Sequence, residues 1–179
     1  GGRSHFDRVL PAASAVGHAG SDLWIHLLAS SEPGIAVVNP RQRAPHRYSR
    51  RFGPLPPCFS RAMLVPASDG RKLLMVGGTA SIRGEESMHV GNLAAQLDET
   101  TENLRAVATE AFAASAQSVL DCYTDLRIYH PRALDRAEIT RHISSSFRSV
   151  RRVEWLQGDL CRSDLLVEIE ALGIIPALT

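Results

Sequence analysis

The chain has 179 residues, of which 44% are hydrophobic and 22% charged, with a formal net charge of +1. This is the size and balance of one globular domain and not of a disordered segment, and it lacks the basic excess of a nucleic-acid-binding protein. No run of about 18 apolar residues is present, which argues against a membrane-spanning helix, and the first residues carry no apolar signal segment, so a cytoplasmic location is expected. The cysteines Cys58, Cys122 and Cys161 are odd in number and irregularly spaced, which fits neither a disulfide framework nor a CxxC metal site.

Residues 1–20 are rich in Gly, Ala and Ser without a clear period, and they read as an N-terminal arm or linker before a domain over 21–179. Residues 23–30, LWIHLLAS, read as a buried strand. Between 39 and 57 stand Pro40, Pro45, Pro54, Pro56 and Pro57 amid several arginines. Proline removes backbone donors and fixes φ, so this stretch is neither a central strand nor a helix, and a long irregular segment in a compact domain is often functional.

Strands are expected at Phe59–Val65 and Lys72–Val76 around a Ser68-Asp69-Gly70 turn, with Gly77-Gly78-Thr79-Ala80-Ser81 following the second. After Gly91, the residues Leu93, Leu97, Leu104, Val107, Ala108 and Ala111 repeat at helical spacing. Asn92 suits the N-cap, and the helix is expected to end near Ser115–Ser118. Then come a strand at Leu126–Tyr129, a helix over Leu134–Ile143, and strands at Val153–Leu156 and Leu165–Leu172. In the last, Val167, Ile169 and Ala171 point one way and Glu168 and Glu170 the other. The order is ββαβαββ-like: an α+β domain with two helices against one mixed sheet.

Several blocks, in order and at near-constant spacing, resemble the catalytic, C-terminal half of the chorismatase family, which has the YjgF/RidA fold. They are Asn39-Pro40-Arg41-Gln42, Arg50, Phe52-Gly53-Pro54 and Phe59-Ser60-Arg61-Ala62, then Gly78-Thr79-Ala80-Ser81-Ile82, Gly84, Glu86-Ser87, His89 and Gly91. Ala94-Ala95-Gln96, Glu99-Thr100 and Asn103-Leu104 match the following helix. Asp159, Cys161-Arg162 and Asp164 to Ala171 match the closing strand.

The resemblance implies a mixed β-sheet with two helices packed on one face, and cleavage of the enolpyruvyl ether of chorismate with release of pyruvate, in secondary metabolism. It implies no metal and no organic cofactor, and a homotrimer as in stand-alone YjgF/RidA proteins. The substrate is a small carboxylated molecule, with neither nucleic acid nor membrane as partner.

By the same resemblance Glu168 is the acid. An enol ether is opened by protonating its methylene carbon, which needs a carboxylic acid that keeps its proton near neutral pH, as burial in an apolar pocket provides. Arg41 matches a carboxylate-binding arginine whose planar fork suits bidentate pairing, and Arg50 is a second candidate. Gly78 and Ala80 are small enough for a substrate to approach the backbone. Cys161 matches a pocket cysteine of the hydroxybenzoate-forming subtype. Fully extended, Cys161 and Glu168 stand roughly 23 Å apart, so within one chain they share a pocket only if it turns near Arg162–Asp164.

The sequence departs from the family at pocket positions. His46 stands where the family has a tyrosine, two residues before Tyr48, and Tyr129 stands where it has an arginine, with Arg127 on the same strand face. Arg83-Gly84-Glu85 replaces an apolar–Gly–His run. The substrate-binding set is thus Arg41, His46, Tyr48, Arg50, Gly78, Ala80 and Tyr129. Three other readings share these residues: a RidA-like enamine/imine deaminase, a diverged relative catalysing another elimination or cyclisation, and a non-catalytic ligand-binding trimer.

Overall fold

The computed structural model describes residues 10–112 and 119–175. Strands β1 (Ile35–Val37), β2 (Ala62–Pro66), β3 (Lys72–Ala80), β6 (Tyr123–His130), β7 (Arg152–Gln157) and β8 (Glu168–Ile175) form one sheet in the order β1-β2-β3-β8-β6-β7. All pairs are antiparallel except β6 with β7. Strands β4 (Ile82–Arg83) and β5 (Glu86–Ser87) make a separate small hairpin. Two helices, α1 (Leu93–Phe112) and α2 (Arg136–Ser146), complete the expected order.

Both helices lie on one face of the sheet. The apolar stripe of α1, from Leu93 through Leu97 and Leu104 to Val107, shares one core with Ile139 and Ile143 of α2 and with Leu74, Val76, Leu126, Ile128, Ile169 and Ala171 of the strands. Asn92 caps α1 by accepting the Ala95 amide at 3.1 Å. The expected end of α1, at 115–118, lies outside the described residues. The Ser68-Asp69-Gly70 turn is present, with Gly70 at φ +83° and its amide donating to the Ala67 carbonyl at 3.2 Å. The proline-rich stretch contains two short 3-10 turns, Pro45–Arg47 and Arg50–Phe52.

Two expectations are corrected. Residues 23–30 are no buried strand: they adopt no regular structure, and Leu23, Trp24, Ile25, Leu27 and Leu28 are between 68% and 87% exposed. Apolar composition signals burial against something, and none of the described residues covers this run. Second, Gly77–Ala80 does not follow a strand but lies inside β3, which runs on to Ala80. The β3–β8 register shifts between Val76 and Thr79, so Gly77-Gly78 forms an irregularity in a continuous strand. No helix among the described residues is long and apolar enough to cross a membrane.

Candidate functional site

The period of two along β6 and β8 sorts their side chains by face. Ile128 and Ile169 go to the helices, while Arg127, Tyr129, Glu168 and Glu170 go to the open face. There the register sets Tyr129 opposite Glu168 and Arg127 opposite Glu170. The Tyr129 hydroxyl donates to Glu170 Oε1 at 3.0 Å, and Arg127 Nη1 donates to Glu170 Oε2 at 3.2 Å. Arg127 Nε also donates to Glu154 on β7 at 2.8 Å. Burial, then the Glu170 charge, pushes the Tyr129 hydroxyl up to about 12, so it serves as a hydrogen-bond donor at neutral pH.

Glu168 is only 5% exposed. Its side chain turns back over β3, where it fills the space a side chain at Gly78 would need: a Cβ there would overlap the carboxyl and lie 2.8 Å from Glu168 Cδ and 3.1 Å from Ser14 Oγ. Burial, and next the negative charge of Glu170, push the Glu168 carboxyl up to about 7, against the opposing pull of Arg61. It therefore carries its proton through much of the range where an ordinary carboxyl has lost it.

A strap of residues 10–17 crosses beside this carboxyl. The Ser60 amide donates to the Pro11 carbonyl at 2.8 Å, the Gly78 amide to Ser14 Oγ at 2.6 Å, and the Gly17 amide to the Asp159 carbonyl at 2.8 Å. A Cβ on Gly77 would stand 2.6 Å from the Ala13 carbonyl oxygen. The glycine pair thus admits the strap backbone at one residue and the acid at the next.

The remaining wall is cationic and aromatic. Arg61, which immediately precedes β2, is 6% exposed. It donates through Nη2 to the Tyr48 hydroxyl and to the Arg43 carbonyl, the latter at 3.4 Å. Its Nε is buried without a hydrogen-bond partner among the described residues. Arg162 lies over the Phe52 ring at 3.9 Å and near the Tyr48 ring at 5.4 Å. Its Nη1 is held by the Glu85 carbonyl at 2.8 Å and Ser87 Oγ at 3.2 Å, so the β4–β5 hairpin positions it. Two guanidiniums and an acid that is neutral below about pH 7 leave this corner net positive, which suits an anionic ligand.

The chain turns at 162–165, where the Leu165 amide donates to the Arg162 carbonyl at 3.1 Å. Cys161, which is exposed, thereby comes within electrostatic range of Glu168: partial desolvation first, then the Glu168 charge, raises its thiol above the usual range. Of the residues chosen from sequence, Glu168, Cys161, Gly78, Tyr48 and Tyr129 gather here. Ala80 is buried opposite Glu168 in the sheet register, with its carbonyl accepting Asn103 Nδ2 at 3.0 Å. His46 lies half-buried in the 3-10 turn just before Tyr48, and Arg50 is exposed at the start of the next turn.

Arg41 goes elsewhere. Its guanidinium donates to Glu99 at 2.6 Å and Asn103 at 3.1 Å, both on α1, and Arg83 holds the other Glu99 oxygen at 2.6 Å. Burial opposes ionisation of Glu99, but Arg83 and Arg41 outweigh it and hold the carboxyl below its ordinary range. Glu85, in the departing Arg83-Gly84-Glu85 run, accepts the Ser49 amide at 2.9 Å. Ser14, Phe52, Arg61 and Arg162 were not singled out as binding residues from sequence. The available signal was Arg61 itself, a lone cation at the head of the apolar run Ala62–Val65.

No protein-family model matches the chain. It is 35% identical over 178 residues to a 3-hydroxybenzoate synthase of Streptomyces hygroscopicus, covering 95% of this chain and 52% of the relative. It is 34% identical over 171 residues to a chorismatase of Streptomyces rapamycinicus, covering 91% and 51%. A chorismatase crystal structure superposes with a TM-score of 0.78 at 26% identity, over 93% of this chain and 52% of that one. A member of the YjgF family from Mycobacterium tuberculosis superposes with a TM-score of 0.51 at 23% identity, over 65% and 86%, a likeness of fold. The chain spans about half the length of the curated relatives it matches.

Proposed function

This chain is a homologue of the chorismatases over about half of their length, and from that kinship we propose that it cleaves the enolpyruvyl ether of chorismate, or of a closely related carboxylated molecule, with Glu168 as the acid. The observation that carries the reading is a buried carboxyl pushed up to about 7 beside two arginines. Glu168 gives its proton to the methylene carbon of the enol ether, and an oxocarbenium ion forms at the ether-bearing carbon. Water adds to that carbon and its proton returns to Glu168. The resulting hemiketal collapses, breaking the bond from the ether oxygen to the former enol carbon, to release pyruvate and the ring alcohol. Arg61 and Arg162 hold substrate carboxylate, with Arg61 Nε supplying a donor that protein does not occupy. Phe52 and Tyr48 form the apolar shelf beneath it.

The test is pyruvate release from chorismate by the purified chain, coupled to lactate dehydrogenase. Turnover is expected, and in Arg61→Met kcat/KM should fall about 10- to 100-fold, the worth of a charged hydrogen bond. A folded chain that binds chorismate and releases no pyruvate would rule the reading out.

We also propose a homotrimer. Leu23, Trp24, Ile25, Leu27 and Leu28 are all between 68% and 87% exposed, and a run of exposed apolar side chains marks an interaction surface. Light scattering should give three times the chain mass, and Trp24→Ser with Leu27→Ser should lower it. A monomer at micromolar concentration would contradict the assembly.

A further inference from the structure

Ser14 has a place in the strap that its half-buried, loop-like position does not announce. Its oxygen accepts the Gly78 amide at 2.6 Å and sits 3.1 Å from the point where a Gly78 Cβ would be, the same small space that the Glu168 carboxyl fills. The strap is fixed on both sides of it, by Ser60 on the Pro11 carbonyl and by Gly17 on Asp159. Accepting the amide leaves the serine its own hydroxyl proton, and no acceptor for that proton is found among the described residues. The groups around the carboxyl are Glu170 on β8, Tyr129 on β6, Arg61 at the head of β2, and Cys161 and Arg162 in the preceding loop. Of these Glu170, Tyr129, Arg162 and the Nη2 end of Arg61 have partners of their own, and Arg61 Nε has none among the described residues.

We propose that Ser14 is a positioning residue for Glu168: held by the Gly78 amide, its hydroxyl donates to the Glu168 carboxylate once that group has released its proton. This rests on the reading of Glu168 as the acid. In that role the carboxyl alternates between charged and neutral forms, and a donor specific to the charged form sets how readily the proton leaves. It also fixes which oxygen faces the ligand.

The experiment has two arms on Ser14→Ala, Ser14→Thr and wild type. In the first, the Glu168 side-chain carboxyl carbon is followed by carbon-13 NMR across pH without any ligand. Removing a hydrogen bond to the charged form should raise the midpoint by about 0.5–1 pH unit in the alanine variant, and threonine should keep the wild-type value. In the second, kcat for pyruvate release should fall several-fold in the alanine variant with KM nearly unchanged. Its alkaline limb should move up with the NMR midpoint. An unmoved midpoint in Ser14→Ala, or a threonine variant shifted as far as alanine, overturns the proposal. If alanine at 14 prevents folding, Ser14→Cys keeps a weak acceptor for Gly78 while nearly abolishing donation, and its midpoint must rise likewise. If wild type releases no pyruvate, the first arm still decides the role of Ser14, so the two failures are distinct.

Discussion

Glu168→Gln is expected to bind chorismate about as well as wild type while turning it over about 10²- to 10⁴-fold more slowly, the usual contribution of a general acid. On the proposed reading the protonated carboxyl is the active form, so kcat should hold below the Glu168 midpoint and fall as pH rises through about 7. The same shift bears on stability. The folded-state value is raised from the ordinary 4.5 to about 7. The neutral buried carboxyl thus favours the fold fully below pH 4.5, and that advantage is lost as pH rises through about 7. The whole difference is on the order of 3 kcal/mol. Glu168→Gln removes the buried charge, so in urea at pH 8 the inactive variant should unfold later than wild type, and at pH 4 the two should coincide. A variant less stable than wild type at pH 8 would mean that Glu168 is held ionised by partners in the fold.

The second large effect is expected at Gly78. Its φ is not in the left-handed region, so alanine suffers no backbone strain there and the whole consequence is steric. The new methyl claims the volume of the Glu168 carboxyl, which must swing toward solvent. Gly78→Ala should cost about 1–3 kcal/mol of stability, lower kcat by more than about 10-fold, and bring the carboxyl's titration back toward 4.5. Gly77→Ala instead meets the Ala13 backbone, so it pushes on the strap and leaves the carboxyl's volume free. A measured midpoint near 7 in Gly78→Ala would show that the acid does not depend on that cradle.

What was legible in the chain follows from where side chains report their surroundings. The helix Leu93–Phe112 repeats at helical spacing because one face meets the sheet, and β8 alternates because one face meets the helices. Glu168 could be placed on the opposite face on that ground alone. Gly77-Gly78 reads as a turn in any local reading, since only the partner strand reveals that β3 continues past it. The strap has no periodic signal, because it works through backbone contacts and one serine. The run 23–30 has the composition of a buried strand but nothing in the described residues to bury against. Arg41, matched by its motif, is engaged by Glu99. Arg61, a member of another motif, lies near Glu168 because the edge of β2 faces β3 and the strap.

The sheet order governs when Glu168 can reach its place. Strand β8 follows all the other described strands in the chain, yet it lies at the centre of the sheet, between β3 and β6. Until it is made and inserted, β1-β2-β3 and β6-β7 are two unconnected fragments, each with an open inner edge. The chain must close long loops before β8 repays them, a topology that favours slow, late assembly. The residue that begins β8 is Glu168. The keystone strand thus delivers Glu168 in the same event that joins the two halves, so a ribosome-bound chain lacking it has neither a whole sheet nor the carboxyl beside Gly78.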